Sequence, residues 1–358
     1  MKIIVVTGST GGHVFPALSF LEALKEKNRD VDALLVLPEK IKKSQIIPKG
    51  HRIHYIPISA IKLSLGLKNL LAIARFFEGF WDSFWIILKF NPDVVVGFGS
   101  LVSVPVVLWA WLMRIRTVIH EQNVIPGRAT RLLAKFSDKI AVSFEETKEY
   151  LGASEKRVVL TGNPLRKELK RYDKNEALAF LGLDPVKFTI LVMGGSQGSR
   201  KINNEFLKTM SNISDASRFQ IIHLAGRNDY EVLRDGYKNI NVKVKLFDFC
   251  NDMQYVYSAS DLVICRAGAT TVSEIIFFGL PAIIVPYPYA YRHQNANTKI
   301  LEARGAALVI QDNQLNAEII KEKIKSLSEN SDTLNQMRDA FNSFAQFDAS
   351  EALARQCI

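Results

Sequence analysis

The chain has 358 residues, 48% of them hydrophobic and 23% charged. That length fits two domains better than one, because single cores seldom grow past about 250–300 residues. Three cysteines (Cys250, Cys265, Cys357) with no CxxC pair argue against a disulfide framework or a structural zinc site and fit a reducing cytoplasm. The net charge of +10 favours an anionic partner without choosing among nucleic acid, acidic lipid and phosphorylated substrate.

Residues 1–6 run into Gly8, Gly11 and Gly12 without a signal-peptide cleavage site. From there strands alternate with amphipathic helices, the pattern of parallel α/β folds. A strand is predicted over residues 3–6, then a glycine turn and a helix carrying Leu18, Leu21 and Leu24, then a strand over 33–37. Asp30-Val31-Asp32 spells the DxD of metal-dependent glycosyltransferases. It precedes a strand, on the sheet edge away from a ligand crevice, and reads as a solvated turn.

A helix over residues 67–89 carries Leu70, Leu71, Ile73, Phe76, Phe77, Phe80, Trp81, Phe84, Trp85 and Ile87. Its apolar arc of about 220° is wider than one core face needs. It is either a membrane or partner surface, flanked by Lys62, Lys89, Arg114, Arg116, Trp109 and Trp111, or a helix sandwiched between sheet and neighbour. Nucleic acid is not expected, since the basic residues do not interleave with aromatics along a groove. Residues 94–113 carry no charge and match the roughly 20 residues of a membrane span. Gly97, Gly99, Ser100, Ser103 and Pro105 interrupt them, so a strand over 94–96, a glycine turn and a buried helix are predicted, followed by a strand over 117–120.

Residues 160–164 are turn-rich and form the predicted linker. The pattern then restarts with a strand over 189–193, a glycine turn over 194–198 and a helix from Asn204. Strands follow over 220–224, 242–247, 262–265 and 282–285. The expected domains are residues 1–162 and 163–342, two doubly wound halves that each open strand–glycine turn–helix. A helical tail over about 343–358 packs back on the first.

Both glycine turns permit close backbone approach, and the helix start after each offers N–H groups to a phosphate. Neither spells GxGxxG, and each is also explicable as a tight turn. His13, at the mouth of the first helix, is placed where the dipole keeps an imidazole neutral, as a general base needs, or it is a capping or structural histidine. The densest constellation is Cys265-Arg266-Ala267-Gly268-Ala269-Thr270-Thr271-Val272-Ser273-Glu274. With a helix starting near Thr271, Glu274 falls in its first turn, either to accept ribose hydroxyls or to close a capping box with Thr270 or Thr271.

These residues resemble a known family. Thr10-Gly11-Gly12-His13-Val14-Phe15-Pro16, Gly97-Phe98-Gly99, His120-Glu121-Gln122-Asn123-Val124-Ile125-Pro126-Gly127, Thr161-Gly162-Asn163-Pro164-Leu165-Arg166, Gly194-Gly195-Ser196-Gln197-Gly198 and the Cys265–Glu274 block run in the order of the MurG family. The resemblance implies a GT-B fold, two Rossmann-like domains facing a central cleft. It implies inverting, metal-independent transfer of N-acetylglucosamine from its UDP donor to the 4-hydroxyl of lipid I, giving lipid II, with no cofactor. By the same resemblance Ser196 holds the α-phosphate, Arg166 the nucleotide, Glu274 the ribose diol, and the backbone near Cys250 the uracil. Ala269, Thr270, Thr271, Val272 and Ser273 line the sugar, with Gln294 on its hydroxyls. Thr10, Gly11, Gly12 and Asn123 lie on the acceptor side within donor reach, and His13 is the favoured base.

The resemblance also implies a peripheral enzyme on the cytoplasmic face of the inner membrane, meeting an anionic surface and cell-wall synthesis proteins. The chain departs from the family pattern at Ser100 and Val104, where glycines are usual, and over residues 291–298, which bear on the acceptor loop and the choice of donor sugar. Other readings are a related GT-B enzyme with another lipid or small-molecule acceptor, a nicotinamide-dependent oxidoreductase, and a membrane-associated binding protein without activity.

Overall fold

Long Val/Ile/Leu runs bounded by glycine turns form strands buried on both faces, and the amphipathic stretches between them cover those faces. The computed structural model describes residues 1–28, 30–43, 50–58, 67–195, 197–290, 292–345 and 348–358. Lys62, Ser196 and Tyr291 lie outside the described residues, as do the side chains of residues 67–70. The chain divides into two units, Met1–Arg166 with Phe347–Ile358, and Lys167–Gln346.

In the first unit the strands are β1 (Lys2–Thr7), β2 (Asp32–Pro38), β3 (Arg52–Ile56), β4 (Val94–Phe98), β5 (Arg116–Glu121), β6 (Lys139–Val142) and β7 (Val158–Leu160). They form a parallel sheet in the order β3-β2-β1-β4-β5-β6-β7. Strand alternation divides the core. Ile4, Val6 and Val95 face the helices α2 (Leu67–Phe90), α3 (Ser103–Leu112) and α4 (Arg128–Leu133). Ile3, Val5 and Val96 face α1 (Gly11–Lys27), and Leu353, Ala354 and Cys357 from the chain's last segment join that cluster.

The second unit contains β8 (Phe188–Met193), β9 (Phe219–Leu224), β10 (Lys243–Phe247), β11 (Leu262–Cys265), β12 (Ala282–Ile284) and β13 (Ala307–Val309), parallel in the order β10-β9-β8-β11-β12-β13. Its helices are α5 (Lys174–Leu181), α6 (Arg200–Asn212), α7 (Tyr230–Tyr237), α8 (Met253–Ser258), α9 (Ala269–Phe278), α10 (His293–Ala303), α11 (Ala317–Ser328) and α12 (Ser331–Ala340). The last helix, α13 (Ala349–Ala354), belongs to the first unit. Lys27 pairs with Glu351, and Arg116 donates to the Ile358 carbonyl at 2.7 Å.

Both sheets reverse direction of winding once, between β1 and β4 and between β8 and β11. Doubly wound sheets bind ligands at the carboxyl ends of the strands at this switch point. β3, β6, β7 and β13 were not among the predicted strands. They are short, and β3 mixes Arg52, His54 and Tyr55 into a half-buried edge. α6 begins at Arg200 rather than Asn204. Residues 94–113 form β4, a turn and α3, and no helix among the described residues is long and apolar enough to cross a membrane. α2 buries one part of its wide apolar arc and leaves another exposed. Ala72, Ile86, Ile87 and Phe90 are buried, Phe80 and Phe84 pack at a tilt against Trp109 of α3 with ring centres 5.0 and 4.8 Å apart, and Phe77, Trp81, Trp85 and Leu88 stay exposed.

Candidate active site

In the first unit three loops meet at the switch point. The β1 turn leads into α1, whose start holds Thr10, Gly11, Gly12 and His13, exposed or half-buried. Gly99 and Ser100 follow β4 with left-handed φ of +69° and +67°. A Cβ on Gly8 would lie 3.2 Å from the His13 ring, and one on Gly99 3.5 Å from His13 Nε2, so the imidazole rests against bare backbone. Thr10 Oγ1 stands 3.4 Å from His13 Nδ1. Ser100 occupies a conformation that favours glycine, at the position where the family pattern has one.

The third loop follows β5 and is built around Glu121. Its buried carboxylate accepts from Asn123 N (3.0 Å) and Asn123 Nδ2 (3.2 Å) through Oε1 and from Gly127 N (3.1 Å) through Oε2. Asn123 is thereby held half-buried at the surface of the loop. His120 is fully buried. Its Nε2–H donates to the Gly162 carbonyl at 2.9 Å, which leaves Nδ1 to accept from Gln122 Nε2 at 3.2 Å. Burial pushes its pKa down to about 4. Arg166 lays its guanidinium 5.3 Å from the Phe15 ring centre. Asn163, 4% exposed, has no hydrogen bond from either side-chain polar atom among the described residues.

In the second unit the switch point is formed by the turn after β8 and the segment after β11. Gly198 N donates to Gly195 O at 2.9 Å, and both glycines have positive φ. A Cβ on Gly194 would sit 2.2 Å from Ser199 N, so the turn admits no side chain there. Arg266, from the other segment, is buried. Its Nη1 donates to Val285 O (3.1 Å) and Asp312 Oδ1 (2.6 Å), and its Nη2 to Ser199 Oγ (3.0 Å). Lys201 also pairs with Asp312. Burial alone would raise the Asp312 pKa, but hydrogen bonds from Arg266 and Lys201 outweigh it and hold the carboxyl below its ordinary value.

The helix carrying Glu274 differs from expectation. α9 starts at Ala269 with Gly268 as N-cap and no side-chain cap, so Glu274 lies in the second turn and closes no capping box. A glycine in extended conformation ends the preceding turn here without the help of Thr270 or Thr271. Glu274, 8% exposed, accepts from the Tyr257 hydroxyl at 2.7 Å. Ala269 and Val272 point into the core, while Thr270, Thr271 and Ser273 are half-buried, and Thr270 Oγ1 is buried without a hydrogen bond. Gln294 Oε1 accepts from Ala267 N (3.1 Å) and Tyr287 N (2.8 Å), and Asn297 Nδ2 donates to Ala267 O (3.1 Å). These two side chains fix the segment after β11. Cys250 is buried after β10.

Of the predicted residues that are described, those of the first unit lie near its switch point and residues 269–274 and Gln294 near that of the second, while Cys250 follows the edge strand β10. Glu121, Gln122, Asn163, Tyr257 and Asn297 were not singled out. Glu121 and Gln122 support their neighbours inside one motif block, Asn163 sits in another, Asn297 lies within the departing segment 291–298, and Tyr257 has no signal in the chain order. Asp32 of the DxD opens β2 opposite Lys2, at the other sheet edge. Among the described residues no group of three or more His, Cys, Asp or Glu side chains gathers as a metal site.

Residues 3–142 match the glycosyltransferase family 28 N-terminal domain, and residues 189–353 the glycosyltransferase family 28 C-terminal domain. The chain is 38% identical to a UDP-N-acetylglucosamine–N-acetylmuramyl-(pentapeptide) pyrophosphoryl-undecaprenol N-acetylglucosamine transferase of Caldanaerobacter subterraneus subsp. tengcongensis, over 98% of this chain and 97% of that one. It is 35% identical to the enzyme of that name from Halalkalibacterium halodurans, over 99% and 98%. Among solved structures, Acinetobacter baumannii MurG superposes with a TM-score of 0.77 at 26% identity, covering 99% of this chain and 98% of that one. With two doubly wound units and this likeness along its whole length, the chain belongs to the MurG family of glycosyltransferases, within glycosyltransferase family 28.

Proposed function

We propose that the chain transfers N-acetylglucosamine from UDP-N-acetylglucosamine to the 4-hydroxyl of the N-acetylmuramoyl unit of lipid I, inverting the anomeric carbon and giving lipid II. The observation that carries this reading is the 38% identity to a transferase of that name over 98% of the chain. The donor's diphosphate lies on the turn between β8 and α6, with Ser196 on the α-phosphate and the α6 N-terminus facing it. Glu274, steadied by Tyr257, takes the ribose diol, Arg166 the nucleotide, and the backbone at Cys250 the uracil. Thr270, Thr271, Ser273 and the Nε2 of Gln294 meet the sugar, with Ala269 and Val272 contributing backbone only.

On the acceptor side, Thr10, Gly11, Gly12 and Asn123 position the lipid-linked sugar, and His13 takes the proton from its 4-hydroxyl as that oxygen attacks. Charge developing on the departing UDP is met by turn amides and helix N-termini. UDP-N-acetylglucosamine is a substrate, and the reaction is written without a cofactor or metal. The exposed Phe77, Trp81, Trp85 and Leu88 of α2, with Trp111 and Leu112 of α3, support peripheral attachment to an anionic cytoplasmic membrane face, where cell-wall synthesis proteins work.

The test is transfer of labelled sugar to a lipid I analogue, with other UDP-sugars as controls. Transfer from UDP-N-acetylglucosamine is expected, and none from any UDP-sugar refutes the reading. His13→Ala is expected to keep UDP affinity and lower turnover at least about tenfold. Near-normal turnover removes His13 from the mechanism.

A further inference from the structure

The turn after β8 has a floor. A Cβ on Gly198 would lie 2.1 Å from Ala225 O, and one on Gly226 2.5 Å from Gln197 O, so the loop after β9 meets the turn backbone to backbone. Asn203, fully buried and one turn into α6, ties the two together. Its Nδ2 donates to Ala225 O (2.9 Å) and to Asp229 Oδ2 (2.9 Å). With the amide hydrogens directed at those oxygens, Asn203 Oδ1 faces His223 Nε2 at 3.1 Å, and that nitrogen carries the ring proton. His223 Nδ1 then accepts from the Tyr237 hydroxyl at 2.8 Å.

The chain Tyr237–His223–Asn203–Asp229 therefore runs in one direction, each donor matched to an acceptor. Burial pushes the His223 pKa down to about 3 and raises that of Tyr237, so neither changes charge near neutral pH. A buried polar chain satisfied in this way specifies one arrangement where an apolar contact tolerates several. Its far end, Asp229, stands 3.6 Å from Arg200, the first residue of α6.

We infer that Asn203 and His223 are positioning residues for the donor diphosphate: they lock the loop of residues 225–229 beneath the phosphate turn and so set where the turn's amides point. The inference rests on the donor reading given above. Amides aimed at a diphosphate lose much of their value when displaced by a fraction of an ångström, whereas the ribose and uracil contacts lie on other segments.

The experiment compares UDP with uridine, which lacks the diphosphate. It uses the full chain, calorimetry for binding, and donor and acceptor KM with kcat. Asn203→Ala is expected to weaken UDP about tenfold and raise the donor KM in step, with uridine affinity and acceptor KM within about twofold. His223→Leu should repeat this. His223→Gln, whose Nε2 donates to Asn203 Oδ1, should recover most of the UDP affinity. If Asn203→Ala does not fold, Tyr237→Phe, which keeps the ring packing, decides by the same ratio, with a loss of about threefold. UDP affinity unchanged in these variants overturns the inference, and so does equal weakening of UDP and uridine. Absence of UDP binding in the wild-type chain refutes the donor reading as well, while normal wild-type binding with unaltered variants refutes this inference alone.

Discussion

Glu121 offers the most direct test of how the first unit's site is built. Its carboxylate accepts three hydrogen bonds, two from backbone N–H groups and one from the Asn123 side chain, and it is 3% exposed. Glu121→Gln keeps the shape but turns one oxygen into a donor. The less costly orientation places that NH2 against Gly127 N, which loses one charge-assisted bond, leaves a buried N–H unmatched and makes the other two bonds neutral. A charged bond contributes about 1.5–3 kcal/mol and a neutral one about 1, so the loss is about 2.5–7 kcal/mol. For a unit of this size each kcal/mol moves the melting temperature by about 2–4 °C, and a drop on the order of 10 °C follows. Differential scanning calorimetry reads the drop, and a rise in acceptor KM reads the displaced Asn123. A melting temperature within about 2 °C of wild type, together with an unchanged acceptor KM, would refute the account of this loop.

Three further outcomes follow from single contacts. Tyr257→Phe removes the 2.7 Å donor to Glu274, and uridine affinity should fall about five- to tenfold, while an unaltered value takes Glu274 away from the ribose. Ser100→Gly releases a left-handed serine and should raise stability by about 1 kcal/mol, checked by urea unfolding, with a decrease counting against strain at that residue. His120 is buried neutral with a pKa of about 4, so between pH 6.5 and pH 4 the unfolded chain binds a proton that the folded chain does not. Stability therefore falls as pH drops through that window, by about 1.4 kcal/mol per unit from this residue, and His120→Gln should flatten the slope by that amount. An identical slope in the variant removes His120 as its source.

The parts of the fold legible in the chain are those where one physical cause dominates. β1, β4 and β8 each centre on an unbroken Val/Ile/Leu run because parallel strands are covered on both faces, and the turns that follow β4 and β8 carry glycines at positive φ. β3 escaped because an edge strand with Arg52, His54 and Tyr55 has no such run. The start of α9 was misplaced because the Thr–x–x–Glu spacing imitates a capping box, whereas Gly268 ends the turn with backbone alone. In the site, residue types announced chemistry but not its division. His120 and Glu121 share a motif block with Asn123, and burial and hydrogen bonding make them its frame. Tyr257 is 17 residues from Glu274 along the chain, and only the approach of α8 to α9 brings them together.

The two units place one device in different charge surroundings. Each ends a central strand in a left-handed glycine or glycine turn and starts a helix beside it, yet the surrounding charges differ. In the first unit the neighbours of the turn are the imidazole of His13, the neutral His120 and the amide of Gln122, and the Glu121 carboxylate is spent on loop amides. In the second unit Arg266 and Lys201 share the single carboxylate of Asp312, so the start of α6 keeps one positive charge in excess. Arg266 is also fixed by two backbone carbonyls and Ser199, so this charge is oriented before any ligand arrives. A base placed in the second setting would be disfavoured from holding its proton. The positive charge in excess at the start of α6 is an observation apart from the sequence motifs, and it supports the proposal that the second turn binds an anion.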